Sequence, residues 1–288
     1  KTGRAYDYIS KTELSVDDFR ITSPPWFLKK LEYIYFCGNY GDPIVAKDLL
    51  SILEYVWEQN PKLSVKVHSN CSVRDKIWWK KFAELTHDKK FTLIASVDGA
   101  SQSTQELYRV NTNFERIMQN LKTFISYNGK VEWRYIIFKH NEHEVSTAEQ
   151  LSKDIGCINF RSYSSNRQFI DGRFAYTFNG ETRYLEQPSM NTDKKFNDRK
   201  MIPFEDLTSV SAKIDCIAIK TRSIFIDFEG NVMPCCHYGI RLYTNRRNTR
   251  DVNGDDAVQQ TINNFGNDKF NALELGLETA LSNCGEFL

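Results

Sequence analysis

The 288-residue sequence predicts an α/β protein built around a parallel sheet, and three features of the sequence support this prediction. Short apolar runs alternate with amphipathic helical patterns, which is the rhythm of βα units. The first apolar run stops abruptly in a glycine-containing turn, as a buried strand does where it leads into a loop. The apolar runs, interpreted as strands, begin near Tyr33, Leu63, Phe91, Val131 and Ile158.

Composition and charge argue against several classes of protein. With 41% hydrophobic residues the chain can bury a large core, so we do not expect a disordered protein. A net charge of +1, from 38 basic and 37 acidic residues, argues against binding nucleic acid or a membrane surface through overall charge. The sequence contains no apolar run of membrane-spanning length and no signal-peptide core at its start. We therefore expect a soluble, cytoplasmic protein with no nucleic-acid or membrane partner.

The turn after the first predicted strand is the first candidate binding site. Gly38 and Gly41 are expected to allow positive φ and a close approach of the backbone to a ligand, and Pro43 ends the turn. An ordinary βα loop could have the same composition, and this interpretation stays open. The candidate binding residues in the turn are Tyr40, Gly41, Asp42 and Pro43.

Helical patterns fill the intervals between the predicted strands. Ser103 with Glu106, and Ser146 with Glu149, have the spacing of capping boxes, and Gly156 stands where a glycine is expected to end a helix. The apolar stripes expected to face the core are Leu49, Ile52, Leu53 and Val56; Ile77, Trp78, Phe82 and Leu85; and Phe114, Ile117, Met118, Leu121 and Ile125.

The second half of the chain has a different character. From about residue 166 to 210 the periodicity gives way to polar and basic residues, which predicts a linker. Residues 224–232 then have the pattern of a β-hairpin with a Glu-Gly-Asn turn. This hairpin falls within a predicted small C-terminal domain, residues 211–288.

Cysteines flank that hairpin and are candidate metal ligands. The chain has seven cysteines, an odd number that fits reduced thiols or metal ligands better than a disulfide framework. Thiolates beside a hairpin are suited to an iron–sulfur cluster or a zinc ion, although buried apolar thiols are the simpler alternative. Cys37, Cys71 and Cys157 are expected to be core residues. The candidate ligands are Cys216, Cys235, Cys236 and Cys284.

Polar residues stand at the carboxyl ends of the other predicted strands. Because parallel strands end at the same edge of a sheet, we expect these residues to converge with the Gly38–Pro43 turn. Hydroxyls, an amide and a carboxylate around a backbone turn suit a polar zwitterion or a ribose. The residues concerned are Ser69, Asn70, Ser96, Asp98, Asn141 and the stretch 162–165.

Together these pieces resemble radical S-adenosylmethionine enzymes with a C-terminal SPASM or twitch extension, over roughly residues 30–288. The turn Tyr40-Gly41-Asp42-Pro43 resembles the family's Gly-Gly-Glu-Pro motif, and Ser69-Asn70-Cys71 resembles its Thr-Asn-Gly. The family's Ser-bearing strand segment is similar to Ser96-Val97-Asp98-Gly99 followed by Tyr108-Arg109, and Phe138 to His143 is similar to one branch of the family. Cys216, Gly230 and Cys235 match the extension's cysteine and glycine spacing.

The resemblance implies a fold and a division into domains. The fold would be a partial (β/α)6 TIM-like barrel with a small C-terminal cysteine-containing β-hairpin extension, and the five strands here would be strands two to six. Residues 1–165 would be the barrel lacking its first strand, residues 166–210 a linker, and residues 211–288 an incomplete auxiliary-cluster domain. One family motif is missing from the sequence, the Cys-x3-Cys-x2-Cys loop. We expect it upstream of Lys1, so this chain by itself is expected to be inactive.

The resemblance also implies cofactors, partners and a reaction. A [4Fe–4S] cluster and S-adenosylmethionine would produce a 5′-deoxyadenosyl radical that modifies a substrate, with electrons from a donor such as a flavodoxin or ferredoxin. An auxiliary iron–sulfur cluster in the extension implies a peptide or protein substrate, and a small molecule stays open. The residues implied to bind S-adenosylmethionine are Tyr40, Gly41, Asp42, Pro43, Ser69, Asn70, Ser96, Asp98, Arg109 and Asn141.

Two other functions remain open from the sequence. The chain could be a non-catalytic iron–sulfur or zinc-binding scaffold derived from the barrel. It could also be an aldolase-like barrel enzyme that uses Lys139 or His140, which would require a lysine of depressed pKa in an apolar pocket.

Overall fold

A computed structural model of the chain describes residues 12–38, 41–165, 167, 169–178, 180–189, 217–236, 239 and 267–284. These residues fall into two compact units. The first unit takes its described residues from Glu32–Val45 and Lys62–Pro203, and the second takes them from Ala5–Leu31, Ala46–Pro61 and Phe204–Leu288. No helix among the described residues is long and apolar enough to span a membrane.

The first unit contains a five-stranded parallel sheet, which confirms the predicted parallel α/β architecture. The strands are ordered along the sheet as they are along the chain, and each neighbouring pair is parallel. Each strand begins within one residue of a predicted apolar run, because these Val-, Ile- and aromatic-rich runs suit a pleated, buried environment. The strands are β1 (Tyr33–Phe36), β2 (Ser64–Ser69), β3 (Phe91–Ser96), β4 (Val131–Ile137) and β5 (Asn159–Ser164).

The two faces of this sheet differ in character because successive side chains point to opposite sides. In β2, Val65 and Val67 are fully buried, whereas Lys66 and His68 on the other side are only partly buried. The strand register carries this division across the sheet. We call the second side the polar face. Its polar residues are Tyr33, Tyr35, Lys66, His68, Thr92, Ser96, Glu132, Arg134, Asn159, Arg161 and Tyr163.

Helices connect the strands, and they correct one predicted apolar stripe and two predicted capping boxes. The helices of this unit are α4 (Lys76–Thr86), α5 (Gln102–Tyr108), α6 (Phe114–Ser126) and α7 (Val145–Asp154). In α4 the buried face contains Trp79 and Phe82, which pack on Phe124 of α6, and Ile77 is 67% exposed. The predicted stripe was wrong there because Asp75 caps the helix and Trp79 starts the better i, i+3, i+4, i+7 series.

The predicted capping boxes of α5 and α7 were also wrong. The N-cap of α5 is Ser101, whose side chain accepts a hydrogen bond from the Thr104 N–H, so Ser103 lies inside the helix. Helix α7 begins at Val145 after Glu144, so Ser146 is an internal residue. In contrast, Gly156 has a φ of 89° just after α7, as predicted for a residue that ends a helix.

Part of the predicted linker is regular structure. Strands β6 (Arg173–Phe178) and β7 (Glu181–Glu186) pair along their whole length as an antiparallel hairpin. Leu185 packs with Tyr108 and Phe138 in one buried cluster, and the Lys139 N–H donates to the Glu186 carbonyl. The described part of residues 166–210 is therefore attached to the sheet unit, and the linker interpretation does not hold for it.

The second unit contains short helices and a small β-pair. Strands β8 (Phe225–Ile226) and β9 (Val232–Met233) are antiparallel, and Gly230 between them has a φ of 85°. One apolar cluster joins Val232 and Phe270 with Leu277, Ala280 and Cys284. The helices, in chain order with those above, are α1 (Val16–Thr22), α2 (Pro25–Leu28), α3 (Leu49–Gln59), α8 (Ile217–Thr221), α9 (Ala272–Leu275) and α10 (Leu277–Cys284).

Candidate functional site

The turn after β1 is fastened to the end of β2 by the carboxylate of Asp42. Its Oδ2 accepts hydrogen bonds of 2.9 Å from the Ser69 hydroxyl and the Asn70 N–H, and its Oδ1 accepts one of 3.1 Å from the Ile44 N–H. Burial raises the pKa of Asp42, although these three hydrogen bonds oppose the shift. The carboxylate therefore shapes the turn, and any ligand would meet the backbone that Asp42 holds in place.

The two glycines of this turn have different surroundings. Gly38 does not have the positive φ that was predicted for it. A Cβ on Gly38 would overlap the carbonyl of Gly41, whereas a Cβ on Gly41 would meet no atom of the described residues within 4 Å. Gly38 is thus required for the turn to close, and Gly41 is an exposed backbone position beside open space. Pro43 begins a short 3₁₀ turn, Pro43–Val45, and Tyr40 lies outside the described residues.

The end of β2 forms a second tight turn next to the first. The side-chain oxygen of Asn70 accepts hydrogen bonds from the N–H of Ser72 at 2.9 Å and from its hydroxyl at 2.5 Å. Cys71 is fully buried with a φ of 59°, a left-handed conformation that favours glycine. The Thr-Asn-Gly motif that Ser69-Asn70-Cys71 resembles has glycine at this position, and the left-handed conformation gives a physical reason for that glycine.

Asp98 and Arg109 form a buried ion pair at the end of β3. The Asp98 side chain is fully buried, and its Oδ2 accepts a 2.5 Å hydrogen bond from Arg109 Nε. Its Oδ1 accepts a 2.6 Å hydrogen bond from the Ile136 N–H on β4. The structure brings these two predicted binding residues together. Their polar groups are used to bind each other and the backbone of β4.

Asn141 is fully buried and hydrogen-bonds the backbone at the carboxyl ends of β3 and β4; we call such residues the frame of the strand-end edge. Its Nδ2 donates to the carbonyls of Asp98 at 2.8 Å and Ile136 at 2.9 Å, and its Oδ1 accepts from the Phe138 N–H at 2.7 Å. These bonds use both of its donor hydrogens and one acceptor position. Asn141 therefore ties β3 to the loop after β4.

Glu144 is a site residue that the sequence analysis missed. Its carboxylate accepts hydrogen bonds from the Ala100 N–H at 2.8 Å, from the Ser101 hydroxyl at 3.0 Å and from the Thr104 hydroxyl. Burial raises the pKa of Glu144, but these bonds outweigh burial and hold it below its usual value. No local pattern signals this contact, because the partners lie about 40 residues apart.

On the polar face, three side chains on adjacent strands form a hydrogen-bonded chain. The Tyr35 hydroxyl lies 2.5 Å from His68 Nδ1, and His68 Nε2 contacts the Ser96 hydroxyl. A neutral imidazole has one donor and one acceptor nitrogen, while each hydroxyl can act as either. Ser96 was predicted as a binding residue; Tyr35 and His68 are placed beside it by the strand register.

The candidate metal ligands do not form a cluster within the described residues, where no three His, Cys, Asp or Glu side chains lie together in a metal-binding arrangement. Cys216 lies outside those residues, and Cys235 and Cys236 are partly buried. Cys284 is buried in the apolar cluster with Val232 and Phe270, and burial raises its pKa to about 11. That environment is the one expected of a core thiol.

The two residues of the aldolase alternative lie at the same edge. Lys139 is 47% exposed along its side chain, and its ammonium group donates to Glu142 at 2.7 Å and to Ser189. This placement contradicts the apolar pocket which that alternative requires. His140 stacks on Phe138, and burial lowers its pKa. Its Nε2 is the only buried side-chain nitrogen or oxygen without a hydrogen-bond partner in the part of the chain that the structure describes.

Comparison with known proteins gives similarity to solved structures only, since no family model and no curated protein matches the chain. Native anSMEcpe with bound AdoMet has a TM-score of 0.43 at 16% identity, over 58% of this chain and 49% of that chain. Streptococcus suis SuiB bound to S-adenosylmethionine has a TM-score of 0.46 at 11% identity, over 82% of this chain and 54% of that chain. The chain therefore spans about half the length of these proteins. TM-scores this low assign neither residues nor a function to it.

The described residues fit the two implied cofactors unequally. They contain no set of three thiolates for a [4Fe–4S] cluster. For S-adenosylmethionine the strand-end edge offers an exposed backbone at Gly41, the Ser96 hydroxyl and the unpartnered Nε2 of His140. Those are the kinds of polar group that an amino acid and a ribose require.

Proposed function

We propose that this chain is the S-adenosylmethionine-binding part of a radical S-adenosylmethionine enzyme. The observation that supports this most is the turn after β1. Asp42 holds it against Ser69 and Asn70, and it leaves the Gly41 backbone open at the carboxyl edge of a parallel sheet. Ligands of parallel α/β folds bind at this edge. The motifs of the sequence resemblance fall on the same turn and on the neighbouring strand ends.

In this proposal the chain's residues bind and orient, and bound S-adenosylmethionine supplies radical chemistry when an iron–sulfur cluster is also present. The Gly41 backbone receives the methionyl part of the ligand. Ser96 offers its hydroxyl to the ribose or carboxylate. Asp98, Arg109 and Asn141 act indirectly, because their polar groups hold the strand ends in place.

We further propose a peptide or protein substrate and an auxiliary iron–sulfur cluster, with Cys216 and Cys235 among its ligands. Support comes from the sequence spacing of Cys216, Gly230 and Cys235, which is that of the extension in peptide-modifying members of the resembling family. Iron content after anaerobic reconstitution of the full-length protein tests this. We expect Cys235→Ala to lower it and Cys284→Ala, in the apolar cluster, to leave it unchanged. Unchanged iron in both Cys216→Ala and Cys235→Ala would contradict it.

Calorimetric titration of the chain with S-adenosylmethionine tests the proposed function. We expect saturable binding that weakens about tenfold or more in Asp42→Ala, because a lost charge-assisted hydrogen-bond network releases the turn. Asp88→Ala is the matched control, since Asp88 is an exposed aspartate of the same unit that pairs with Lys89. Absence of saturable binding, or equal affinity in Asp42→Ala and the wild type, would refute the proposal.

A further inference from the structure

A second charged cluster lies on the polar face, next to the strand-end edge, because Arg134 on β4 is the register partner of Ser96 on β3. Glu132 and Arg134 project from β4, and Arg161 is the register partner of Arg134 on β5. The Glu132 carboxylate accepts a 2.8 Å hydrogen bond from Arg134 Nε through one oxygen, and its other oxygen lies 3.6 Å from Arg161 Nε. One carboxylate is therefore shared by two arginines on adjacent strands.

This cluster has more positive than negative charge. Burial raises the pKa of Glu132, but the Arg134 hydrogen bond and the charges of Arg134, Arg161 and Lys66 outweigh it and lower that pKa. Glu132 is therefore ionised at neutral pH, and it balances only one of the two arginines. Lys66, also on the polar face, adds a further positive charge.

The geometry leaves the outer edges of both guanidinium groups available. Arg134 and Arg161 contact Glu132 through Nε, and their terminal amino groups have no hydrogen-bond partner among the described residues. The terminal nitrogens of Arg134 are in contact with solvent, because the only buried unpartnered side-chain atom in that part of the chain is His140 Nε2. A guanidinium held at Nε still presents its two terminal groups as a planar fork for a second anion.

The two arginines differ in exposure, since the Arg134 side chain is 26% exposed and the Arg161 side chain is 62% exposed. The Arg134 guanidinium is therefore partly removed from water while it shares its carboxylate with a second arginine, an arrangement that a further anion would stabilise. Asp98 and Arg109 show the alternative arrangement in the same unit, in which one carboxylate meets one guanidinium. Arg173 with Glu186 shows the simple surface version, with both side chains more than half exposed.

We propose that Arg134 and Arg161 together bind a carboxylate or phosphate group of an anionic ligand on the polar face of the sheet. Planar arginine forks match the oxygen spacing of both groups. The hydroxyl of Tyr163, two residues after Arg161 on the same face of β5, carries its proton at neutral pH because burial raises its pKa, so it can donate to the same anion. That the ligand is the enzyme's substrate rests on the proposed function; the anion site itself does not.

Nuclear magnetic resonance of the chain labelled with ¹⁵N-arginine tests the site. The probes are methyl phosphate and N-acetyl-glutamate N-methylamide, titrated at constant ionic strength, with the Nε–H signals assigned from Arg134→Lys and Arg161→Lys. We expect both signals to shift saturably with at least one probe, and the probe that binds identifies phosphate or carboxylate as the preferred group. Arg134→Gln should weaken that binding about tenfold or more. Arg134→Lys should have an intermediate effect, because it keeps the charge and loses the fork.

Arg173→Gln is the matched control, because it removes an arginine that also meets a glutamate through Nε but has no second arginine there. Its affinity for the probe should equal that of the wild type. A linear shift with both probes, or equal affinity in Arg134→Gln and the wild type, would overturn the proposal. Competition between the probe and S-adenosylmethionine would also overturn it as a separate substrate site. Lack of S-adenosylmethionine binding would count against the proposed function and leave the anion site standing.

Discussion

The strand-end edge and the polar face of the sheet use similar residues in opposite ways. At the edge, Asp98 and Arg109 bind each other, and the side-chain amide of Asn141 hydrogen-bonds backbone groups. On the polar face, Arg134 and Arg161 share one carboxylate and keep their terminal amino groups available. A polar residue near a binding site can therefore belong to its frame, where its polar groups bind other parts of the protein. It can also belong to the ligand shell, where some of its polar groups remain available, and its hydrogen-bond partners show which of the two applies.

Among changes to uncharged side chains at the edge, Asn141→Ala should have the largest effect. This change leaves two carbonyls and one N–H without their partner at a fully buried position. We expect the free energy of unfolding to fall by about 3 kcal/mol or more, measured by urea denaturation. Asn159→Ala is the control on the polar face, where a single 3.5 Å contact to Glu132 predicts a loss below about 1 kcal/mol. Equal losses in the two variants would abolish the distinction between edge and face.

A smaller effect should separate the two glycines of the turn. Gly38→Ala places a Cβ against the Gly41 carbonyl, so we expect a loss of about 1–3 kcal/mol in unfolding free energy. Gly41→Ala should change it by less than about 0.5 kcal/mol, since the space beside Gly41 is open. Thermal denaturation of both variants measures this. A larger loss in Gly41→Ala would show that the turn closes in another way.

The smallest effect should depend on pH. Because the pKa of Glu144 is lowered by folding, its contribution to stability is present above the ordinary glutamate value and is lost as the pH falls through the folded value. Glu144→Gln should therefore cost about 1–2 kcal/mol at pH 7, and the difference from the wild type should shrink below about pH 4.5. Denaturant unfolding at several pH values measures it. A difference that stays constant down to pH 3 would contradict the assignment.

The order and direction of the strands could be predicted because apolar runs and their spacing are local signals. The hairpin β6–β7 was missed although its sequence alternates Phe174, Tyr176 and Phe178 and ends in Asn179-Gly180, a common hairpin-turn dipeptide. The polar and basic residues around this pattern obscured it. The helix faces were predicted less well, because in α4 two overlapping stripes differ only by which tryptophan packs on Phe124.

The position of the candidate site at the strand ends could be predicted, but the role of each residue in it could not. Parallel strands bring Asp42, Ser69, Asp98 and Asn141 to one edge whatever their partners are. Whether a carboxylate faces a ligand or an arginine depends on contacts between distant residues, such as Glu144 with Ala100. Single-sequence patterns contain no record of those contacts. The anion cluster was missed for the same reason, because the register that joins Arg134 to Arg161 is a property of the sheet.

The unfolding free energies of Arg109→Gln and Arg134→Gln, compared under one set of conditions, test the division between frame and ligand shell most directly. Arg109→Gln leaves the fully buried Asp98 carboxylate without its charged partner, and we expect a loss of about 3–5 kcal/mol. Arg134→Gln leaves the buried Glu132 paired with Arg161 and should cost less, about 1–2 kcal/mol. Equal losses, or a larger loss in Arg134→Gln, would contradict the account.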